Sequence, residues 1–200
     1  MSVDRPKGER NRLTAAFRIV LAIPHIILVG GIGVSFAARN GWGFGTESGL
    51  IGAFVAVLAV VSWFTIVITG RHIAGIRELS RFFLRWRVRA LAYLMLLEDQ
   101  YPPFGDGIYP TSFAIVEPTG PRNRVAVGFR IILAIPHFFL LFFLTLAWCV
   151  TAFIAWLSIL VTGAYPAGLY DFGVGVLRWH VRVEAYLLLL IDDYPPFSLD

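Results

Sequence analysis

Three stretches of the chain are almost uninterrupted runs of apolar residues, and two further stretches interleave apolar residues with arginine. Ile19 to Ala38 and Leu50 to Thr69 are each about 20 residues long, enough for one helical crossing of a hydrocarbon layer at about 1.5 Å per residue. The third run, Ile131 to Thr162, carries no turn signal. Two full crossings need about 40 residues and one needs about 20, so its length fits neither. A tight hairpin of two short, tilted helices breaking near Ala147 to Val150 gives spans at about 129–147 and 148–163. The competing reading is one long tilted helix kinked at Pro136.

The interleaved stretches follow the second and third runs. In the first, Arg77, Arg81, Arg85 and Arg89 recur every fourth residue, while Ile76, Leu79, Phe83, Trp86, Ala90, Tyr93 and Leu97 recur at three-and-four spacing. On a helix these sets form opposite faces, which predicts a basic amphipathic helix over about 75–98, lying in the headgroup layer with aromatic anchors. A crossing helix would hold those arginines at mid-bilayer, each at a cost of at least about 2.5 kcal/mol. The second stretch predicts a similar helix over about 169–191, with an apolar face of Phe172, Val176, Trp179, Val183, Tyr186 and Leu190. Its polar face is sparser (Arg178, Arg182, Asp171), which also suits packing against a bundle. Double prolines at Pro102-Pro103 and Pro195-Pro196 follow each helix, since proline cannot continue the hydrogen-bond ladder.

These stretches are copies of one another. Arg10-Asn11-Arg12 through Leu21-Ala22-Ile23-Pro24-His25 recurs as Arg122-Asn123-Arg124 through Leu133-Ala134-Ile135-Pro136-His137, and Trp63 to Phe104 recurs as Trp156 to Phe197. The offset between copies changes between these two blocks, which places an insertion at about Gly30 to Gly49 of the first copy. Internal duplication sets the organisation: a tail over 1–9, repeat 1 over 10–104, a turn-rich linker over 105–121 and repeat 2 over 122–200. The predicted fold is an all-α membrane protein. It has two tandem repeats of like orientation, each a transmembrane helical hairpin followed by an amphipathic surface helix and a Tyr-Pro-Pro-Phe turn.

Composition agrees with a membrane class: 58% of residues are hydrophobic and 15% charged, with a mean hydropathy of +0.73. The net charge of +4 matters through its distribution. Basic residues flank the outer ends of the first two runs, so the positive-inside bias puts both termini in the cytoplasm of a multi-pass inner-membrane protein. The first run exceeds the apolar length of a signal peptide, and its opening is copied mid-chain, which favours an uncleaved span. Cys149 is the one cysteine, which excludes an intramolecular disulfide and a cysteine-based metal site.

Candidate chemistry is sparse. Arg18 with His25, and Arg130 with His137, stand seven residues apart on one helix face, and ionisable groups at membrane depth are candidates for function. The structural alternative has the arginines snorkelling to headgroups and the histidines satisfying carbonyls freed by Pro24 and Pro136. Asp99 and Asp192 fall where a helix C-terminus disfavours an anion, which predicts a tie to a cation such as Arg18 or Arg130. No metal, phosphate-loop or nucleophile motif is present, so neither a cofactor nor an enzyme is expected. The arginines with Trp86 suit anionic lipid better than nucleic acid.

The repeated runs Phe-Arg-x-x-Leu-Ala-Ile-Pro-His (17–25, 129–137), Trp-x-x-x-x-x-Thr-Gly (63–70, 156–163) and Leu-Arg-Trp-x-x-Arg through Asp-x-Tyr-Pro-Pro-Phe resemble bacterial membrane proteins of domain of unknown function 4389, as two tandem copies. The first copy departs from the pattern at Arg71 to Ile76, which puts its turn geometry in question. The resemblance implies a membrane class and no mechanism. The expected function is that of a non-enzymatic scaffold or accessory subunit. Its lipid- or partner-binding residues would be Arg77, Arg81, Arg85, Trp86, Arg89, Arg178, Trp179 and Arg182, facing anionic headgroups, a protein partner or a second copy. The alternatives are a small transporter or channel using the intramembrane His and Arg, and a lipid-modifying enzyme using His and Asp in one shared pocket.

Overall fold

The computed structural model describes residues 3, 5–6, 8–31, 49–112, 114–115 and 122–200, which form seven helices and no strand. These are α1 (Arg12–Ala16), α2 (Arg18–Val29), α3 (Gly49–Thr69), α4 (Ala74–Leu94), α5 (Arg124–Gly128), α6 (Arg130–Thr162) and α7 (Ala167–Leu187). The duplicated asparagines start each repeat. The Asn11 side chain accepts from Thr14 N at 3.1 Å, and Asn123 accepts from Val125 N and Ala126 N, also at 3.1 Å. Each satisfies amide groups that a first helical turn leaves open.

The apolar run of repeat 2 is one helix of 33 residues, so the hairpin with spans at 129–147 and 148–163 is not formed. Between Ala147 and Val150 there is no Gly, Pro or capping side chain to satisfy carbonyls released by a break, and the ladder continues through. Pro136 lies inside this helix, as Pro24 lies inside α2.

Among the described residues, repeat 1 holds no hairpin of two full-length spans either. α2 has 12 residues and α3 has 21, together the length of α6. Their buried positions Arg18, Ala22, His25, Val29, Gly52, Val55, Ser62 and Ile66 correspond in order to Arg130, Ala134, His137, Leu141, Thr145, Trp148, Ala155 and Ile159 of α6. The junction is tight. A Cβ on Gly49 would sit 2.5 Å from the Gly30 nitrogen and 2.6 Å from the Leu28 carbonyl oxygen, so α3 begins where α2 stops. The run expected over 19–38 is therefore a half-length segment ending at Val29, and residues 32–38 lie outside the described residues. We call α2 with α3 rod 1 and α6 rod 2. Among the described residues two helices, α3 and α6, are long and apolar enough to cross a membrane.

The rods run antiparallel. At one end, Trp156 Nε1 of rod 2 donates to Ala15 O at 3.0 Å and Arg10 N donates to Gly163 O at 2.8 Å. At the other end, Trp63 Nε1 of rod 1 donates to Val127 O at 2.8 Å. Each rod thus ends beside the start of the other. After α4 the chain turns back beside it, held by Arg89 to Gly105 O at 2.9 Å and Arg85 to Asp106 at 3.0 Å, and Arg122 bonds Leu189 O at the close of α7.

α4 and α7 form where the periodicity predicts them, but they are not free surface helices. Trp86 and Trp179 are 6% exposed, and Phe83, Val88 and Ala92 are buried with them. The apolar face that the sequence suggests for lipid packs on the rod of its own repeat and on the other long helix. The linker covers the arginine side of α4, and the C-terminal tail covers α7, with Leu199 against Gly175. The turn into each of these helices is the same in both repeats despite the departure at Arg71 to Ile76. Gly70 (φ +73°) and Gly163 (φ +74°) both stop a rod in the left-handed region open to glycine.

Each rod touches the rest of the protein along one stripe only. Its other sides stay apolar and open, with Ile68 70% and Val161 74% exposed.

Candidate functional site

The polar groups singled out by the sequence gather into two matching clusters, one at the C-terminal end of each of α4 and α7. α4 closes with Leu97 N bonded to Ala92 O (2.8 Å) and Leu96 N to Tyr93 O (3.1 Å), and α7 closes likewise at Leu190 and Leu189. This closure puts Leu96 and Leu189 at φ +62°, a conformation that costs a leucine about 1–3 kcal/mol and that persists where packing fixes it. Both leucines are buried.

Arginines grip these helix ends. Arg18, 1% exposed, donates to Tyr93 O at 3.2 Å and to Asp99 Oδ1 at 2.9 Å, and stacks 4.2 Å over the Tyr93 ring. Arg10 pairs with Asp99 Oδ2 at 3.0 Å. In repeat 2, Arg130 donates to Tyr186 O at 2.9 Å and Asp192 Oδ1 at 3.0 Å, and stacks 4.3 Å over Tyr186. Arg122 joins Asp192 and donates to Leu189 O at 2.9 Å. The predicted Asp–Arg tie is thus formed in both copies. The cations meet the negative end of the helix dipole, and the carboxylate offsets their burial. Arg10 and Arg122 were missed as partners, although the duplicated Arg-Asn-Arg carries them both.

His25 and His137 do not serve the carbonyls freed by proline. Each accepts at Nδ1 from an indole, Trp86 Nε1 and Trp179 Nε1 respectively, at 3.0 Å. Indole is only a donor, so the proton of each neutral ring sits on Nε2. The rings stack on Phe104 (4.6 Å) and Phe197 (4.2 Å), which ties each Tyr-Pro-Pro-Phe turn to its rod. Trp86 and Trp179 are therefore internal donors and not lipid anchors.

The expected lipid-facing arginines hold chain segments together. Arg81 pairs with Glu78 at 3.1 Å, Arg85 with Asp106, and Arg89 with Gly105 O. Arg178 donates to Leu199 O at 3.3 Å, and Arg182 to Asp200 O at 2.6 Å and to Ser198 O. Arg77 is half-buried in the first turns of α4. A cavity of about 290 Å³ is lined by Arg81, Arg85, Ala114 and Ile115.

A position where the copies differ carries a further contact, which duplication does not flag because it marks only what recurs. Arg87 bridges Glu184 of α7 at 3.0 Å and donates to Val29 O and Gly31 O at the junction of rod 1. Its counterpart His180 lies 2.9 Å from Thr145 Oγ1 and 3.0 Å from Val176 O. Burial pushes the His180 imidazole down to about 4, which keeps it neutral. Among the described residues no group of three His, Cys, Asp or Glu side chains could hold a metal ion.

No curated protein and no solved structure matches the chain. The sequence profile described as Domain of unknown function (DUF4389) matches residues 44–105 and again 124–198. Those two segments fall one in each repeat and take in both Trp–His partners on α4 and α7, both Asp–Arg carboxylates and both Tyr-Pro-Pro-Phe turns; the chain belongs to this family, as two tandem copies of its domain.

Proposed function

We propose that this protein is a non-enzymatic membrane component, a scaffold or accessory subunit that its two rods seat in lipid and that meets partners through the face built on α4 and α7. One observation carries the reading: both rods present large apolar side chains along their whole length, from Ile19 (71% exposed) to Ile68 and from Ile131 (63%) to Val161. Open apolar surface of that extent marks contact with lipid or with another protein. The ionisable residues support binding over chemistry, because both oxygens of Asp99 are taken by arginine and the Nδ1 atoms of His25 and His137 by tryptophan. Exposed cations suited to anionic headgroups are Arg12, Arg71 and Arg124 at the rod ends, which replace the α4 stripe in that role.

Fractionation of cells expressing the chain tests this. The protein is expected in the membrane pellet and to stay there through high salt and alkaline carbonate. Recovery as a soluble monomer would overturn the reading.

A further inference from the structure

Resting on that membrane reading, we propose that the rods do not cross the bilayer but lie along it, so that both repeats sink into one leaflet from the same side. The partner of the open rod faces is then the hydrocarbon of a single leaflet.

Length is the first argument. A 33-residue helix is about 50 Å long, against about 30 Å of hydrocarbon, and the open apolar side chains of rod 2 run from Ile131 to Val161, by themselves a length of about 45 Å. A rod standing across the membrane would push apolar side chains into water on both sides.

The second argument is what lies beside the middle of rod 1. The Arg85–Asp106 pair has side chains 37% and 47% exposed, and Arg85 is two residues, about 3 Å along α4, from Arg87, whose guanidinium meets the α2–α3 junction. The chain from 101 to 112 that carries Asp106 is not helical. If the rods crossed, this exposed ion pair and irregular backbone would sit within the hydrocarbon, about 18 Å from one end of rod 1. Lipid-exposed irregular backbone does not occur at that depth, and charges there are held in protein or water. The tail over 191–200, bonded to Arg178 and Arg182 along α7, would face the same problem in repeat 2. Laid flat, the rods meet lipid while α4, α7, the linker and the tail stay on the aqueous side. The cations at both rod ends then share one headgroup layer.

Thiol accessibility decides between the arrangements. Cys149, exposed on rod 2, is first replaced (Cys149→Ala), and single cysteines are placed by Glu9→Cys at one end of the molecule, Arg71→Cys at the other and Asp106→Cys beside the middle. Sealed right-side-out and inverted vesicles are treated with a membrane-impermeant maleimide. All three thiols are expected to react from the same side and to be silent from the other. Reaction of the Glu9 and Arg71 positions from opposite sides, or reaction at position 106 only after detergent, would overturn the flat arrangement. A chain absent from the vesicles would instead sink the membrane reading itself.

Discussion

Rod 1 and rod 2 bury the same stripe of positions, yet one is split and the other is whole. The split exposes carbonyls at Val29 and Gly31, and a cation is brought to them: Arg87, itself balanced by Glu184. Where the rod is whole no carbonyl is freed, and a neutral histidine that hydrogen-bonds Thr145 is enough. Side-chain volume differs in a compensating way. Trp148 of rod 2 packs on Gly173, where a Cβ would fall 2.8 Å from the indole nitrogen, and the corresponding pair in repeat 1 is Val55 and Ser80. The comparison teaches that duplication copied the buried stripe, while each copy solved its own backbone and volume problems around it.

The largest test of that view is the volume pair. Trp148→Ala is expected to cost about 3–5 kcal/mol of unfolding free energy in micelles, and Val55→Ala about 1–2 kcal/mol. Equal losses would mean the two rods are packed alike. Next is the junction. Arg87→Met strands Glu184 and two carbonyls and is expected to cost about 3 kcal/mol, against about 1 kcal/mol for His180→Met, both read from denaturant midpoints.

A sharper version removes the split. A chain with residues 30–48 deleted joins Val29 to Gly49 and should fold with rod 1 continuous. In that background the Arg87→Met loss should shrink by about 1–2 kcal/mol, since the Gly31 carbonyl is gone and that of Val29 bonds within the helix. An unchanged loss would show that Arg87 acts only through Glu184.

The smallest effect is on pH. His180 is pushed down to about 4 in the fold, against about 6.5 in the unfolded chain, so its stabilisation is complete above pH 6.5 and is lost as pH falls toward 4. About 1 kcal/mol should be gone by pH 5.5, and His180→Gln should flatten that slope in the same denaturation assay.

Much of this was legible. Asn11 and Asn123 mark helix starts, Gly70 and Gly163 mark rod ends, and α3, α4 and α7 fall within a few residues of their periodic patterns. The Asp99 and Asp192 ties follow from the helix dipole alone. The continuity of α6 was not legible from apolarity, because a hairpin and a rod of leucines and phenylalanines have the same hydropathy. The insertion between α2 and α3 did carry that information, since closing it makes the two helices one. The fate of Arg85 and Arg89 was hidden for a different reason. Periodicity shows that a helix face is polar, but the segment that covers it, Gly105-Asp106, has no period to read.

The two left-handed leucines fasten the halves together like opposed latches. Leu96 closes on Ala15 and on Ile159 of the other half, and Leu189 closes on Val127 and on Ile66. When the ribosome has released only the first hundred residues, Leu96 and Ala15 still lack their seat. The amino-terminal half therefore gains this contact only once Ile159 has been made, and a product truncated before that residue is left with its catch open.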